Sequence, residues 1–364
     1  MMARAVFRVV LLLLVALAGC ATVTPPAPPV SVASSGTVAA LERGRQHLGR
    51  GEMAAAAGAF REALRAQPEL IDARAGLGLA LYGLGDLAAA VEELRAAVRD
   101  RPDSTSLRLA LARVLIARQE WPAARAELEA VLAFEPESLD ARYSLGVVRY
   151  VEGDLDGAIE SYRRVVAAAP RQADARYNLA LLLKLADRHT DAVPEFVAAA
   201  EAGHPRAQYF AGAAYATGVG VEQSLTTAVT WWLLAAEQGV TQADEALVQL
   251  RDLARGRMPG RARRPFDDRQ AVVQAFQEYR LGMWKAFPDL TPGDTVGGAL
   301  LSRGRVREAV PLLIREAGAL SQPAHELLET LYEQGANGQL PVHDPRIMRY
   351  LQSAAAEGRR SPIR

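Results

Sequence analysis

The apolar residues of this chain follow three patterns. An unbroken apolar run extends from Val9 to Ala18, behind the basic residues Arg4 and Arg8. Between residues 37 and 206, small and large apolar residues return at fixed places in a period of 34 residues. From Asp267 to Met283, the apolar residues are spaced for one face of a helix. The first pattern predicts a targeting signal, and the other two predict helices that pack through one face.

The apolar run is too short to cross a hydrocarbon core of about 30 Å as a helix. It ends in Leu17-Ala18-Gly19-Cys20, which resembles the lipobox of bacterial lipoproteins. The resemblance implies that residues 1–19 are a signal peptide and that Cys20 carries a diacylglyceryl thioether and an N-acyl chain such as palmitate. Ala21, rather than an acidic residue, follows the cysteine and favours the outer membrane. The alternative is a signal peptide that is cut elsewhere, with Cys20 discarded.

Residues 20–36 are rich in proline and serine and contain little hydrophobic bulk. Such a composition cannot build a core, and its prolines keep the chain extended. The segment is therefore predicted to be a disordered tether that holds the folded part away from the bilayer.

Prolines set the 34-residue period, since Pro68, Pro102, Pro136 and Pro170 are each 34 residues apart. When each proline is placed at position 32 of a unit, small residues align at position 8, where two helices must approach closely: Gly44, Gly78, Ala112, Gly146 and Ala180. Large residues align at position 24, where they would fill the space between the helices: Phe60, Leu94, Leu128, Tyr162 and Phe196. Alanine holds position 20 in all five units, and a turn of the Gly-acid type separates the helices in three of them.

A helix-turn-helix unit of 34 residues with these positions resembles the tetratricopeptide repeat. The resemblance implies an all-α fold in which residues 37–206 form five repeats of an α/α solenoid. The fifth unit departs from the pattern, because Pro205 is one place late and Asp187-Arg188-His189 stands where Gly-Asp is usual.

Beyond residue 206 the pattern changes. Residues 207–250 resemble a Sel1-like repeat, a related α/α unit with a longer loop, through Ala207, Gly212, Tyr215, Gly218, Gly220, Val221, Ala228, Trp231, Ala235, Ala236 and Gly239. Residues 251–266 are predicted to be an exposed basic loop, either simply solvated or in contact with anionic lipid or an acidic partner. Residues 267–358 are predicted to be a degenerate tetratricopeptide- and Sel1-like helical region that ends in a capping repeat, and residues 359–364 form a tail.

Composition agrees with an all-α fold and excludes several functions. Apolar residues make up 50% of the chain and aromatic residues only 6%, so the core must be built from Ala, Leu and Val. The 42 basic residues balance the 42 acidic residues, so no global field attracts nucleic acid. Cys20 is the only cysteine, which leaves the folded part no thiol for a disulfide, a metal or a nucleophile.

Possible catalytic and cofactor motifs are incomplete. His325-Glu326-Leu327-Leu328-Glu329 begins like the zinc-protease helix signature, but the second histidine is absent. Gly218-Val219-Gly220 lacks the third glycine of a dinucleotide loop and follows a helix rather than a strand. We therefore predict that the chain has no catalytic residue, no metal and no cofactor.

The tetratricopeptide resemblance also implies a binding surface, because positions 2, 5, 9, 12 and 13 of the first helices line a groove. In this chain they give an apolar, tyrosine-bearing surface, suited to an amphipathic helix or an extended peptide. The predicted partner-binding residues are Leu79, Tyr82, Leu109, Arg113, Ile116, Tyr143, Val147, Tyr150, Tyr177, Leu181 and Lys184. Leu41, Arg45 and Leu48 extend the surface, and Asp72, Asp140 and Asp174 line one rim. In the alternative interpretation, Tyr143 and Tyr177 serve packing alone.

The leading functional hypothesis is a non-enzymatic scaffold, anchored by lipid to the periplasmic face of the outer membrane, that binds other envelope proteins. Pilus or secretin assembly, polysaccharide export and peptidoglycan-enzyme complexes all remain open. A first alternative is an envelope hydrolase with its site in residues 251–322, built from Asp267, Asp268, Glu278 and Asp294. A pocket that encloses two of these carboxylates would favour the hydrolase, and continued helical hairpins the scaffold. A second alternative is a self-associating tether.

Overall fold

The computed structural model describes residues 35–256, 268–336 and 338–357. Within these ranges the chain forms eighteen helices and no strand, which confirms the predicted all-α fold. The proposed signal peptide, Cys20 and the tether up to residue 34 lie outside the described residues, as do residues 257–267 and the tail.

The helices fall into two compact units, which meet in the sequence between Pro102 and Asp103. Unit 1 contains α1 (Ser35–Gly49), α2 (Met53–Ala66), α3 (Ile71–Gly83) and α4 (Leu87–Asp100). Unit 2 begins with α5 (Thr105–Ala117), α6 (Trp121–Phe134), α7 (Leu139–Val151), α8 (Leu155–Ala168), α9 (Ala173–Leu185) and α10 (His189–Glu201). It continues with α11 (Pro205–Thr217), α12 (Leu225–Glu237), α13 (Thr241–Ala254), α14 (Arg269–Trp284), α15 (Val296–Ser302), α16 (Val306–Gly318), α17 (Gln322–Gln334) and α18 (Pro345–Ala356).

The turn inside each of the first five helix pairs has the same backbone conformation. The turn has three residues, and the middle one has a positive φ in every pair: Gly51 (75°), Gly85 (82°), Gln119 (63°), Gly153 (86°) and Asp187 (57°). Glycine adopts this conformation without a steric penalty, whereas Gln119 and Asp187 carry a Cβ that disfavours it. The helical period therefore persists in the two units whose turn residues depart from the glycine pattern.

The predicted contact between position 8 and position 24 is present in the three helix pairs that have glycine at position 8. A Cβ atom added to Gly44 would lie 2.5 Å from the ring of Phe60, and one added to Gly146 would lie 2.8 Å from the ring of Tyr162. The same arrangement occurs between Gly78 and Leu94, and beyond the first five pairs between Gly212 and Trp232 and between Gly297 and Leu313. The helices of these pairs approach so closely that only a hydrogen atom fits between the glycine backbone and the facing side chain.

The second half of unit 2 changes the loops but keeps the helical hairpins. The loop between α11 and α12 is longer than the earlier turns, and Gly218 and Gly220 within it have positive φ angles of 74° and 72°. The Gly218-Val219-Gly220 sequence that resembles part of a phosphate-binding loop is therefore explained by the backbone conformation of this loop between two helices. Helix α14 is the predicted amphipathic helix of 267–283; its buried residues are Val272, Ala275, Phe276 and Tyr279, and it packs on α12 and α13.

The prediction that an exposed basic loop begins at Arg251 is wrong. Helix α13 continues to Ala254, and only 4% of the Arg251 side chain is exposed. Its Nε and Nη2 atoms donate to the two carboxylate oxygens of Glu357 at 2.9 and 2.6 Å, and Nη1 donates to the carbonyl of Gly318 at 3.3 Å. A run of charged residues is usually solvated. Here the first arginine of the run, Arg251, can be buried because it pairs with Glu357, which is 106 residues away in the sequence.

None of the helices in the described residues combines the length and the apolar character that are needed to cross a membrane.

The close contact of Gly44 with Phe60 leads to a stability prediction. We expect Gly44→Ala to lower the free energy of opening of the α1–α2 hairpin by about 1 to 3 kcal/mol, because the added methyl group overlaps the Phe60 ring. Gly58→Ala is the matched control, since Gly58 is exposed on α2 and no atom lies within 4 Å of its added Cβ. This control should stabilise the hairpin by about 0.5 to 1 kcal/mol.

Hydrogen exchange of the α1 and α2 amides measures both changes. Phe60→Leu combined with Gly44→Ala should recover part of the lost free energy. Equal effects of Gly44→Ala and Gly58→Ala would contradict the packing argument.

Candidate functional site

In unit 2, polar and aromatic contacts join the first helices of successive hairpins on one side. Arg113 of α5 pairs with Asp140 of α7 at 3.4 Å. The Nδ2 atom of Asn178 on α9 donates to the hydroxyl of Tyr143 on α7 at 2.8 Å. The Lys184 ammonium of α9 lies 4.6 Å from the ring centre of Phe210 on α11. These contacts define one continuous surface, here called the groove face, across α5, α7, α9 and α11.

Part of the groove face is apolar and accessible. Tyr150 is 48% exposed and Leu185 is 58% exposed, at the C-terminal ends of α7 and α9. Leu109, Ile116, Val147 and Leu181 are half-buried between the helices. Aromatic and aliphatic groups that are held by a rigid scaffold and remain open to solvent can take the apolar side chains of a partner.

The other part of the groove face is a polar pocket of about 670 Å³. The polar pocket is lined by Tyr143, Asp174, Tyr177, Asn178, His204 and Arg206, together with Gln238 to Gln242 from the α12–α13 connection. Burial and the carboxylate of Asp174 raise the pKa of the Tyr143 hydroxyl, so this group remains a neutral hydrogen-bonding group. The pocket offers amide, hydroxyl and imidazole groups, which suit the hydrogen-bonding atoms of a peptide.

His204 belongs to the fold as well as to the polar pocket. Its Nδ1 atom accepts a hydrogen bond from the backbone N–H of Ala207 at 3.1 Å and so caps the N-terminus of α11. Its ring stacks on Tyr177 with ring centres 4.0 Å apart, and its Nε2 atom lies 3.7 Å from Asp174. Burial lowers the pKa of the imidazole, while Asp174 opposes the shift. The neutral ring with its proton on Nε2 fits all of these contacts.

Two of the predicted groove residues, both tyrosines, pack against other aromatic rings of the fold. Tyr177 is only 9% exposed and packs against Phe196, His204 and Phe210, so it offers a partner little surface. Tyr143 is half-buried, and its ring meets Tyr162 edge-on at 5.3 Å. The packing role that the sequence left open for these two tyrosines is therefore present in the structure.

Unit 1 carries the remaining predicted residues. Tyr82 is 40% exposed near the end of α3, and Leu79 is half-buried on the same helix. Asp72 accepts hydrogen bonds from Arg45 at 3.0 Å and from Arg101 at 3.5 Å. The rim aspartate of this unit is thus engaged by two arginines.

Sequence reasoning missed several residues of the groove face. Asn178, His204 and Phe210 fall outside positions 2, 5, 9, 12 and 13 of the repeat, so the alignment of positions did not select them. Val151 and Leu185 occupy position 13, which was available as a signal, and both are exposed apolar residues.

The carboxylates of the alternative hydrolase are not gathered into one site. Asp268 caps α14 by accepting from the N–H groups of Gln270 and Ala271. Glu278 is exposed and accepts hydrogen bonds from Thr226 at 2.6 Å and Gln274 at 2.7 Å. Asp294 lines a different cavity, with Glu326, and Asp267 lies outside the described residues.

The histidine of the incomplete zinc motif is also occupied structurally. His325 is buried, with Nδ1 2.9 Å from the Tyr350 hydroxyl and Nε2 3.3 Å from a Glu329 oxygen. Among residues 35–256, 268–336 and 338–357, no three His, Cys, Asp or Glu side chains are grouped so that they could hold a metal ion.

Comparison with known proteins identifies the repeats. The family model described as Tetratricopeptide repeat matches residues 41–105, 109–173 and 153–207, which is less than half of the chain. No curated protein matches the chain significantly. The segment from residue 41 to 207 thus contains tetratricopeptide repeats, and such repeats support a role as a protein–protein interaction scaffold.

Solved structures of the protein MamA are similar to part of the chain. A crystal structure of MamA protein has 25% identity and a TM-score of 0.43, over 48% of this chain and 95% of that chain. MamA 41-end from Desulfovibrio magneticus RS-1 has 23% identity and a TM-score of 0.45, over 47% of this chain and 97% of that chain. TM-scores below 0.5 do not establish a common fold, so the repeat assignment rests on the family match and the helix pairs.

The His204 cap leads to a prediction of pH-dependent stability. The pKa of His204 is lower in the folded chain than the ordinary value of 6.5, so the unfolded chain binds this proton more readily. The stabilisation is therefore complete above about pH 6.5 and is lost as the pH falls through the lower folded pKa. We expect His204→Asn, which keeps a cap acceptor but does not titrate there, to flatten the dependence of α11 stability on pH between 8 and 5.

Hydrogen exchange of the α11 amides measures this dependence. His189→Asn is the control, because half of the His189 side chain is exposed and its removal should leave the pH dependence unchanged. The same slope in wild type and His204→Asn would refute the role of this cap.

Proposed function

We propose that the chain is a non-enzymatic scaffold, anchored to the bacterial outer membrane by lipid on Cys20, that binds envelope proteins on its groove face. The bound segment is an amphipathic helix or an extended peptide. Its apolar side chains lie against Ile116, Tyr150 and Leu181, and its polar groups enter the polar pocket. Pilus or secretin assembly, polysaccharide export and peptidoglycan-enzyme complexes are the processes in which such a scaffold fits.

The observation that carries this proposal is the exposed apolar part of the groove face. Tyr150 and Leu185 leave about half of their surface open to solvent. Contiguous exposed apolar surface on a rigid scaffold is typical of protein-binding sites. Two cations of the groove face are engaged by the fold: Arg113 by Asp140 and Lys184 by the Phe210 ring. Binding is therefore driven by apolar contact rather than by charge.

The lipid anchor is supported by the sequence alone. The apolar run, the small residues before Cys20 and the proline-rich segment after it follow the order of a lipoprotein signal, anchor and tether. Two acyl signals are sufficient for stable attachment to a membrane, whereas one is marginal. We likewise propose that residues 207–250 and the last hairpin are Sel1-like repeats.

The hydrolase alternative finds less support. In the described part of residues 251–322, the chain continues as helices α14, α15 and α16. Asp268 and Glu278 are engaged in a helix cap and in exposed hydrogen bonds, respectively, and neither faces Asp294 in its cavity. Helical hairpins in this region favour the scaffold.

A double substitution tests the groove face. Ile116→Glu with Tyr150→Glu places two carboxylates in the apolar part, and burying them under a partner costs several kcal/mol. We expect partner recovery from solubilised envelopes of the source bacterium, quantified by mass spectrometry after affinity purification, to fall at least tenfold. The helical circular dichroism signal should remain unchanged, because neither side chain is fully buried.

The control variant adds the same charge elsewhere. Ala126→Glu with Ala167→Glu alters exposed positions on the second helices α6 and α8, away from the groove face. This variant should recover the same proteins as wild type. Equal recovery by the groove variant and the control would overturn the proposed surface.

Substitution of the anchor cysteine tests the lipid separately. Cys20→Ser removes the thiol that would accept the diacylglyceryl group, so the protein should leave the detergent phase after phase partitioning or accumulate as an uncut precursor. Incorporation of labelled palmitate should disappear as well. Unchanged partitioning together with retained label would exclude Cys20 as the anchor and would leave the groove proposal untouched.

A further inference from the structure

A second cavity of unit 2 lies between α12, α13, α16 and α18 and has a volume of about 240 Å³. We call it the arginine cleft. Its walls are apolar, formed by Leu233, Leu247, Ile314 and Tyr350, and its charged lining includes Arg315, Arg346 and Arg349. No predicted partner-binding residue of the groove face lines this cleft.

The buried arginine of the cleft, Arg251, has its hydrogen-bond donors satisfied by other residues of the chain. Arg251 lines the cleft but gives its donors to Glu357 and to the carbonyl of Gly318. This ion pair joins α13 to the residue that directly follows α18, so it fixes two walls of the cleft. Because both side chains are almost fully buried and bidentate, they form part of the frame and are not available to a ligand.

The three other arginines of the cleft lie at its more exposed side, here called the mouth, and they differ in whether they are paired. Arg315 is paired with Glu237, with its Nε atom 2.8 Å from the carboxylate. Arg346 is paired with Asp344 at 3.0 Å. Arg349 lies one residue before Tyr350, lines the same cleft, and forms no hydrogen bond or ion pair with a described residue. The guanidinium group of Arg349, with its five donors, is therefore not engaged by the described residues and lies beside an apolar space.

The size of the cleft limits what it can hold. Pockets for drug-sized ligands measure about 300 to 1,000 Å³, so this cleft is smaller than that class. One water molecule needs about 10 to 15 Å³ of such space, so the cleft has room for several groups of that size. A short chain of carbon atoms with one polar head fits this volume.

We propose that the arginine cleft binds a carboxylate that carries a short apolar chain. The chain lies among Leu233, Leu247 and Ile314, and the carboxylate pairs with the guanidinium of Arg349 at the mouth. Arg–carboxylate pairs are strong because two parallel hydrogen bonds accompany the charge attraction. Asp244 and Glu237 also line the cleft; Glu237 is paired with Arg315, and the negative charge of Asp244 opposes a bound anion.

The same chemistry is offered by a free aliphatic acid and by the C-terminal residue of a polypeptide. The first probe is 6,6,6-trifluorohexanoate, observed by fluorine NMR with the full chain in lipid nanodiscs. The neutral comparison is 6,6,6-trifluorohexanol, which partitions into lipid and apolar cavities but has no charge. A competing N-acetyl-Ala-Leu acid, with its C-terminal amide as control, represents a polypeptide end.

Three variants make the test specific. Arg349→Gln should weaken binding of trifluorohexanoate about tenfold, because it removes a charge-assisted hydrogen-bond pair. Asp244→Asn should strengthen binding, since it removes the opposing charge. Arg307→Gln is the matched control: Arg307 is exposed on α16, does not line the cleft, and its loss should leave binding unchanged.

The outcomes separate cleanly. The proposal is supported if either acid binds more weakly to Arg349→Gln and more tightly to Asp244→Asn. If N-acetyl-Ala-Leu acid displaces trifluorohexanoate and its amide does not, polypeptide C-termini are a source of the bound carboxylate. Equal binding of the acid and the alcohol, equal effects of Arg349→Gln and Arg307→Gln, or no binding of either acid would overturn the proposal. Partner capture by the groove face does not enter this measurement, so the two proposals stand or fall separately.

Discussion

The close contact between a small residue on one helix and a large side chain on the next is the constraint on which the other features depend. At Gly44, Gly146 and Gly212 an added methyl group would overlap the ring that faces it. Since interiors are packed to the density of organic crystals, such a contact sets the helix separation within a few tenths of an ångström. With that separation fixed in each hairpin, the remaining positions of the first helix face the same side, and a continuous groove face becomes possible.

A second interaction recurs with the same period and joins each first helix to the turn before it. Arg74, Arg142 and Arg176, at position 4, donate to the carbonyl groups of Pro68, Pro136 and Pro170. Arg74, Arg108 and Arg176 also pair with Glu93, Glu127 and Glu195 on the second helix of the same hairpin. Arg74, Arg142 and Arg176 thus satisfy carbonyl groups of the connections between hairpins, two residues beyond the end of each preceding helix, and their side chains are partly shielded from solvent. The prolines that marked the period in the sequence are thus acceptors as well as chain breakers.

The groove face takes its character from the places where the repeats differ. Arg113 at position 9 reaches Asp140 at position 2 of the next first helix, and within unit 1 Arg45 makes the same contact with Asp72. Val147 replaces the arginine in the following hairpin, so Asp174 instead lies beside His204 and opens toward the polar pocket. In the later hairpins the helix pairs remain while some loops are longer. An ion pair between residues distant in sequence, Arg251 and Glu357, joins two walls of the arginine cleft.

The sequence by itself determined the helical class, the 34-residue period, the turns and the close contacts of positions 8 and 24, because these depend on residues that are near each other in the chain. It also selected Tyr150 and Ile116 as accessible apolar residues, since their positions within a helix set the side they face. Only the tertiary structure decided that Arg251 is buried, that Tyr177 packs against His204 and Phe210, and that Arg349 lines a cleft without a partner among the described residues. Each of these features depends on residues of other hairpins. Whether a charged side chain is buried or paired depends on which distant groups lie beside it in the fold, and a local sequence pattern does not contain that information.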